Sequence, residues 1–432
     1  DGVTEDILLQ LSKIGELHVI SRTSVMQYKG TTKPIETIAQ ELGVSYVLEG
    51  SVRKYGDKVR INAQLVNEDN EYMWAENFDK TLTEIFSIQS QVSTEIAKAL
   101  KITLSIDERA SLSKVPTENA QANTIYQEAR RLLNQGGGRL DELNTAKDLF
   151  ERAIELDPEF CLAYVGLADT YLSYIFWGRS APKEVLDNAL TASLKALELD
   201  PTEGGTYGAL GSISFYRYEK ETAVNYLEKA LEINPSYVAA YDKLAWISIF
   251  DGNTDQAVSL FEKILALDPL STRYLGNIVQ SHYYERDFNK GLSVVNEAVK
   301  LFPEDNMLLW TKATILTALQ RYDQAIQTFT SRSDGINTNW MLGYTYAMSG
   351  QHDKALEILN YQLKKAETVH VPPFMIAVIY MGLGDEAKAL DYLEKDYALG
   401  GQGLFFWGLK RDVIFDSLHD EPRFQKLLKV IQ

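Results

Sequence analysis

A single cysteine in 432 residues leaves no disulfide to form within the chain. Cys161 stands among Leu162, Ala163 and Tyr164, apolar company in which a thiol is expected to be buried and inert. Basic charge is also short, with 43 Lys and Arg against 60 Asp and Glu and a net charge of -17. A surface that neutralises phosphates needs the opposite balance, so no nucleic acid and no anionic membrane surface is expected as a partner. No run of 18 apolar residues appears and no signal-peptide pattern opens the chain, so no direct membrane insertion is expected. The chain starts at Asp1 rather than Met. Further sequence upstream is therefore expected, with a tether or a catalytic domain as candidates, and the compartment, cytoplasmic or periplasmic, stays open.

Recognisable catalytic patterns are missing too. The five histidines, His18, His282, His352, His370 and His419, show neither the i, i+4 pairing with Glu of a zinc hydrolase nor a Cys partner, so no metal is expected. Gly211-Ser212-Ile213-Ser214-Phe215 falls inside a helical pattern rather than on a strand-to-helix elbow. Gly136-Gly137-Gly138-Arg139 has no Lys-Ser or Lys-Thr after it and no strand before it, so it reads as a long turn rather than a phosphate loop. No cofactor is expected, and the chain as it stands is read as non-enzymatic.

What the chain has is a repeat. Pro201, Pro235, Pro269 and Pro303 follow one another at steps of 34 residues. One unit reads Tyr207, Leu210, Gly211, Ala223, Leu227, Ala230 and Pro235, and the next Tyr241, Leu244, Ala245, Gly252, Ala257, Phe261 and Pro269. Small residues at the eighth and twentieth positions let two helices approach, and bulky ones at the fourth and twenty-fourth fill the space towards neighbours. Proline stops the second helix. This pattern resembles the tetratricopeptide repeat (TPR), which implies stacked helical hairpins and a concave surface. About eight units are read over residues 122–399. Gly136 to Arg139 lengthen a turn of the first, and an insertion with Trp177 and Pro182 interrupts the second.

Ahead of the repeats, residues 1–105 read as a small mixed α/β domain. Thr4 is expected to cap a helix carrying Ile7, Leu8, Leu11 and Ile14, and Leu17 to Ser21 to form a strand. A second helix runs from Pro34 to an exit at Gly43. Tyr46 to Tyr55 and Lys58 to Asn67 flank a Gly56-Asp57 turn as a hairpin, and a helix with Ile85, Ile88, Val92, Ile96 and Leu100 closes the unit. The segments Asp1-Gly2-Val3-Thr4-Glu5-Asp6-Ile7, Ile20-Ser21-Arg22-Thr23-Ser24-Val25, Val47-Leu48-Glu49-Gly50-Ser51-Val52-Arg53, Trp74-Ala75-Glu76 and Ile85-Phe86-Ser87-Ile88-Gln89 resemble the TolB-like domain that precedes tetratricopeptide repeats in bacterial signalling proteins. The resemblance implies a unit attached to a class III adenylate cyclase, a protein kinase or a winged-helix domain. No class III cyclase signature is found here, and since a strand usually precedes the first segment in the family and the chain begins after that point, the sheet is expected to lack one strand.

The fold class expected is α+β overall: the α/β domain over 1–105, a polar linker over 106–121 with Pro116, an all-α TPR superhelix over 122–399 and a capping segment over 400–432. That last stretch carries Phe405, Phe406, Trp407, Phe415, Leu418, Phe424, Leu427 and Leu428, and a helix around Arg423 to Ile431, preceded by Pro422, is expected to cover the last unit. The inner face of such a superhelix is lined by positions two, five, six, nine, twelve and thirteen of each unit. Those positions give Asp242, Trp246, Phe250, Arg273, Asn277, Gln280, Tyr283, Tyr284, Trp310, Trp340 and Tyr344. Aromatics bury large areas at low entropic cost, so this face is expected to bind a peptide or protein segment; for any one aromatic, inter-repeat core is an equal alternative. Asn277 sits where an amide grips ligand backbone in peptide-binding relatives, but the matching Lys and Arg are missing, so recognition of a terminal carboxylate is not expected. Two functions stand: an interaction scaffold of a bacterial signalling protein, or the regulatory portion of a larger adenylate cyclase or kinase.

Overall fold

A computed structural model describes all residues except 1, 56–57, 82–84, 135–137, 333–339, 402 and 431–432. The first unit opens with α1 (Gly2–Leu11), a short α2 (Arg22–Val25) and α3 (Ile35–Leu42), followed by β1 (Tyr46–Tyr55), β2 (Lys58–Asn67), β3 (Tyr72–Thr81), α4 (Ile85–Ala99) and α5 (Ile106–Ser113). The strands form an antiparallel sheet in the order β1-β2-β3. Alternation decides its faces. Val59, Ile61, Ala63 and Leu65 of β2 are buried under α1 and α4 with Ile7, Leu11, Val92 and Ile96, whereas Arg60 on the opposite face pairs with Asp79 across to β3 at 2.6 Å.

The expected hairpin stands in the register Tyr55↔Lys58; its Gly56-Asp57 turn lies outside the described residues, as do Gly136 and Gly137 and the side chains of Ile85, Ile88 and Phe405. Three expectations are corrected. Thr4 lies inside α1, which already begins at Gly2. Leu17 to Ser21 pairs with no described strand, because Ser21 caps α2 and its N–H donates to Leu267 O at 2.6 Å. The stretch after Pro34 holds one strand more than expected, β3. Within the stretch read as a linker stands α5, opened by a capping box between Ser105 and Glu108.

From residue 120 on, helical hairpins follow one another: α6 (Ala120–Asn134) with α7 (Leu140–Leu156), α8 (Cys161–Phe176) with α9 (Pro182–Leu199), α10 (Gly204–Tyr216) with α11 (Lys220–Ile233), α12 (Val238–Asp251) with α13 (Thr254–Leu267), α14 (Thr272–Glu285) with α15 (Phe288–Leu301), α16 (Asn306–Ala318) with α17 (Tyr322–Thr330), α18 (Trp340–Met348) with α19 (His352–Lys365), and α20 (Pro373–Gly382) with α21 (Glu386–Ala398). The period has a visible cause in the third hairpin. A Cβ on Gly211 would stand 2.7 Å from Leu227 Cδ2, so only glycine lets α10 and α11 meet over the fully buried Ala223 and Leu227. The chain ends with α22 (Gly403–Gly408), a 3-10 stretch Val413–Leu418 and α23 (Pro422–Leu428).

The first unit is moored along one edge of this stack, on the residues that precede the unit-ending prolines. Asp157, Asp200 and Asn234 each use Oδ1 to accept the backbone N–H two residues on, from Glu159, Thr202 and Ser236. That local turn leaves the other side-chain atom free to reach out. Asp157 Oδ2 accepts from Thr117, Asp200 Oδ2 pairs with Lys114 at 2.5 Å, and Asn234 Nδ2 donates to Ser12 at 3.3 Å. The fourth, Asp268, accepts from the fully buried Ser24 hydroxyl at 2.6 Å. One sequence position thus serves both the turn and the mooring.

Candidate binding groove

The first helices of successive hairpins stand beside one another, and ring contacts, hydrogen bonds and a shared cavity bring together in groups all the residues expected to bind a partner except Tyr344. Six are buried, Asp242, Trp246, Asn277, Tyr283, Tyr284 and Trp340, and the other five are half-buried. Three form a polar network. Asp242 accepts from Arg273 Nη2 at 2.9 Å, from Asn277 Nδ2 at 3.4 Å and from Lys243 Nζ at 3.3 Å. The Asn277 amide, expected to meet ligand backbone, is directed to Asp242 instead, and the Arg273 guanidinium also lies 4.5 Å from the Phe176 ring centre.

The aromatic part of the face is covered by the protein's own C-terminal segment. Trp407 stacks on Phe215 and on Phe250 with ring centres 5.4 and 5.9 Å away, and its indole N–H donates to Phe215 O at 2.9 Å. Arg411 Nε donates to Phe250 O at 3.1 Å, and Tyr283 OH donates to Asp412 Oδ1 at 2.7 Å. Arg286 holds Asp416 with both guanidinium nitrogens, at 2.7 and 2.5 Å. Phe415 meets Phe374 of α20 at 5.6 Å. The stretch from 407 to 415 reaches at most ~30 Å when extended, yet it touches α10, α12, α14 and α20, so the stack must curve around it.

Glycines admit the segment. Gly400 and Gly401 have φ of 101° and 72°, a region that side chains avoid, and a Cβ on Gly401 would run into the Tyr218 hydroxyl. A Cβ on Gly408 would stand 2.6 Å from Tyr284 OH. Beyond the segment, α23 packs on the last hairpin: Arg423 reaches Glu394 and Asp391 of α21, both at 2.7 Å, and Phe424 is fully buried against Phe415. The aromatic C-terminus therefore divides its work, with α23 closing the stack and residues 406–416 entering the groove.

What the segment leaves uncovered is a cavity of about 30 Å³ lined by Gln280, Tyr283, Tyr284, Trp310 and Trp340, together with Asp412 and Ile414. Five of the expected residues thus share one pocket wall with two residues of the segment. Burial pushes the Asp412 carboxyl up to about 6, against the Tyr283 hydroxyl that would hold it down. Burial, then Asp412, raises the Tyr283 phenol well above its ordinary value. The same positional count in the third unit reaches Phe215 and Tyr216 at twelve and thirteen, two groove residues that the sequence reading passed over. No periodic signal marks Arg411 or Asp412.

The tetratricopeptide repeat family model matches residues 205–237, 239–271 and 277–334. Residues 205–334 therefore carry tetratricopeptide repeats. A putative adenylate cyclase 3 of Rhizobium meliloti is 35% identical over 223 residues, which covers 50% of this chain and 37% of that protein; the match spans well under half of the relative's length. Among solved structures, the human IFIT1 dimer with m7Gppp-AAAA is similar at 17% identity, over 72% of this chain and 77% of that one, with a TM-score of 0.47. A thermophilic TPR protein of Thermus thermophilus is similar at 19% identity, over 48% of this chain and 99% of that one, with a TM-score of 0.37. Among the described residues no three His, Cys, Asp or Glu come together as a metal ion would need, and no helix is long and apolar enough to cross a membrane.

Proposed function

We propose that this TPR protein is a non-catalytic interaction module of a bacterial signalling protein, which takes up an aromatic protein segment in the groove in exchange for its own C-terminal segment. The observation that carries this reading is Trp407 between Phe215 and Phe250 with Arg411 and Asp412 following. An occupied groove displays the chemistry it accepts: a flat aromatic, then four residues on a guanidinium for a backbone carbonyl, then an acceptor for a tyrosine hydroxyl. Aromatic and arginine anchors of this kind dominate binding energies at interfaces. The resemblance of residues 1–105 to TolB-like domains belongs to the same proposal, and its support is the sequence segments that carry it.

The test is a titration of the full chain with a labelled synthetic peptide spanning residues 400–416. Trp407→Ala with Arg411→Ala vacates the groove, so the variant should bind the peptide at least tenfold more tightly than the parent chain, whose own segment competes at high effective concentration. Equal or absent binding in both would end the reading. A second reading is favoured by the Rhizobium relative: the chain would be the regulatory portion of a larger adenylate cyclase. Its check is the coding sequence upstream of Asp1, where a cyclase domain supports it and a signal peptide alone removes it.

A further inference from the structure

The insertion that lengthens the second hairpin brings it against the last one. Residues 177–181, between α8 and α9, are tied down at their base. Arg179 N–H donates to Tyr174 O and Arg179 Nε to Gly138 O, both at 2.7 Å, and a Cβ on Gly138 would run into the Trp177 ring. The turn thus rests on the first hairpin and holds the start of α9 in place. Lys183 follows Pro182 in the first turn of that helix, where an N–H has no partner within the helix. It donates to Leu399 O at 3.1 Å, and Leu399 is the residue that ends α21. An orphan donor at one helix start meets an orphan acceptor at another helix end, and the two helix dipoles attract at that point. Gly400 permits the approach, since a Cβ there would stand 3.0 Å from Lys183 N and 3.1 Å from Pro182 Cβ. Ala181 and Pro182 are buried. Nearby, burial lowers the pKa of His370, in the turn before α20, and the Glu184 carboxylate opposes the shift.

Five hairpins separate the second from the eighth along the chain. Packed helices stand ~8–10 Å apart, so six steps of a straight stack would part them by at least ~50 Å. A hydrogen bond between them means that the superhelix closes on itself. The C-terminal segment starts from the same spot. Gly400 O accepts from Tyr218 OH at 3.2 Å, and the Tyr218 ring stands 5.5 and 5.4 Å from those of Phe406 and Trp407. Neighbouring hairpins meet over whole helix faces, whereas this junction is only a few residues wide, so the ring opens here first.

We infer that the junction of Pro182 and Lys183 with residues 399–401 is a latch on the groove: closed, it holds the C-terminal segment in place, and a segment enters or leaves when α9 and the end of α21 part. This use of the junction rests on the exchange of segments proposed above. It also gives the insertion in the second hairpin a task, to carry one half of the latch.

The experiment locks the latch. A Cβ on Gly400 would lie 3.6 Å from Lys183 Cβ, a distance that a disulfide spans. Lys183→Cys with Gly400→Cys is placed in the full chain and in the Trp407→Ala, Arg411→Ala chain, and each is compared oxidised and reduced, so that strain from the substitutions is common to both arms. In the first chain oxidation should slow hydrogen exchange of residues 411–416 at least fivefold. In the second it should slow association of the peptide 400–416 at least tenfold. Without a disulfide, Lys183→Pro, which lacks the N–H, should speed exchange of residues 411–416, and Lys183→Ala, which keeps it, should not. Peptide association that is equally fast in the oxidised and reduced chains overturns the latch and leaves the groove reading standing. Slowed exchange with no peptide bound in either form supports the latch and removes the groove reading. Exchange unmoved by oxidation, or by Lys183→Pro where no disulfide forms, overturns the inference.

Discussion

Asp412 is the residue at which docking of the C-terminal segment becomes sensitive to acidity. Its carboxyl is pushed up to about 6 by burial, whereas an exposed aspartate titrates near ~3.9. The docked state therefore holds a proton more firmly than the undocked one. Docking is strongest below about pH 4, weakens as pH rises towards 6 and is level above that. The neighbours agree with this sign, since Asp416 adds to the rise while Arg286 and the Tyr283 hydroxyl oppose it without cancelling it. Hydrogen exchange of residues 406–412 should be slower at pH 5 than at pH 7.5 after correction for intrinsic rates. Asp412→Asn, which still accepts from Tyr283, should remove the difference. Cys161 gives a second expectation at this scale. Burial pushes its thiol up to about 12, so alkylation at pH 8 should be slow in the native chain and fast in urea.

Among the elements, the mooring of the first unit is the feature most open to test. Ser24 is fully buried and Asp268 nearly so, so Asp268→Ala leaves the Ser24 hydroxyl unsatisfied and should cost ~1–3 kcal/mol. Exchange in α2 should rise while α14 and α15 stay protected. At the groove, Gly401→Ala places a methyl against Tyr218 in a backbone region hostile to side chains, and should release residues 403–412 without lowering the melting temperature of the hairpins. The elements also show what a sequence can and cannot announce. The hairpins were legible because small residues at fixed spacing are a direct demand of helix contact, as Gly211 against Leu227 shows. The pair β1 and β2 was legible from the alternation of Val59, Ile61, Ala63 and Leu65. β3 was not, because among its described side chains Phe78 alone is buried and Tyr72 and Met73 are exposed, which leaves little periodic contrast. Leu17 to Ser21 alternates like a strand, but its Leu17 and Val19 pack on the first unit's core without a strand partner, and Ser21 turns to the repeats.

At the scale of the whole molecule, the contacts that matter join residues far apart in the chain. Trp407 meets Phe215 across 192 positions and Ser24 meets Asp268 across 244, and no local pattern encodes such pairs. The groove was legible as a row of aromatics at repeat positions. That the row is already filled was not, because the aromatic C-terminus suits a cap as well as a ligand, and only the curvature of the stack decides between them. Filling the groove also alters how it should be probed. Trp246 and Tyr283 are core residues here, and truncating either would cost ~3–5 kcal/mol of stability, so the segment is the cleaner handle. The most direct measurement is hydrogen exchange of residues 406–412 in the full chain, with and without saturating peptide 400–416. The account predicts slow exchange alone and rising exchange as the peptide takes the groove. Exchange that stays slow while the peptide is bound would contradict it, because the peptide would then sit somewhere other than the groove.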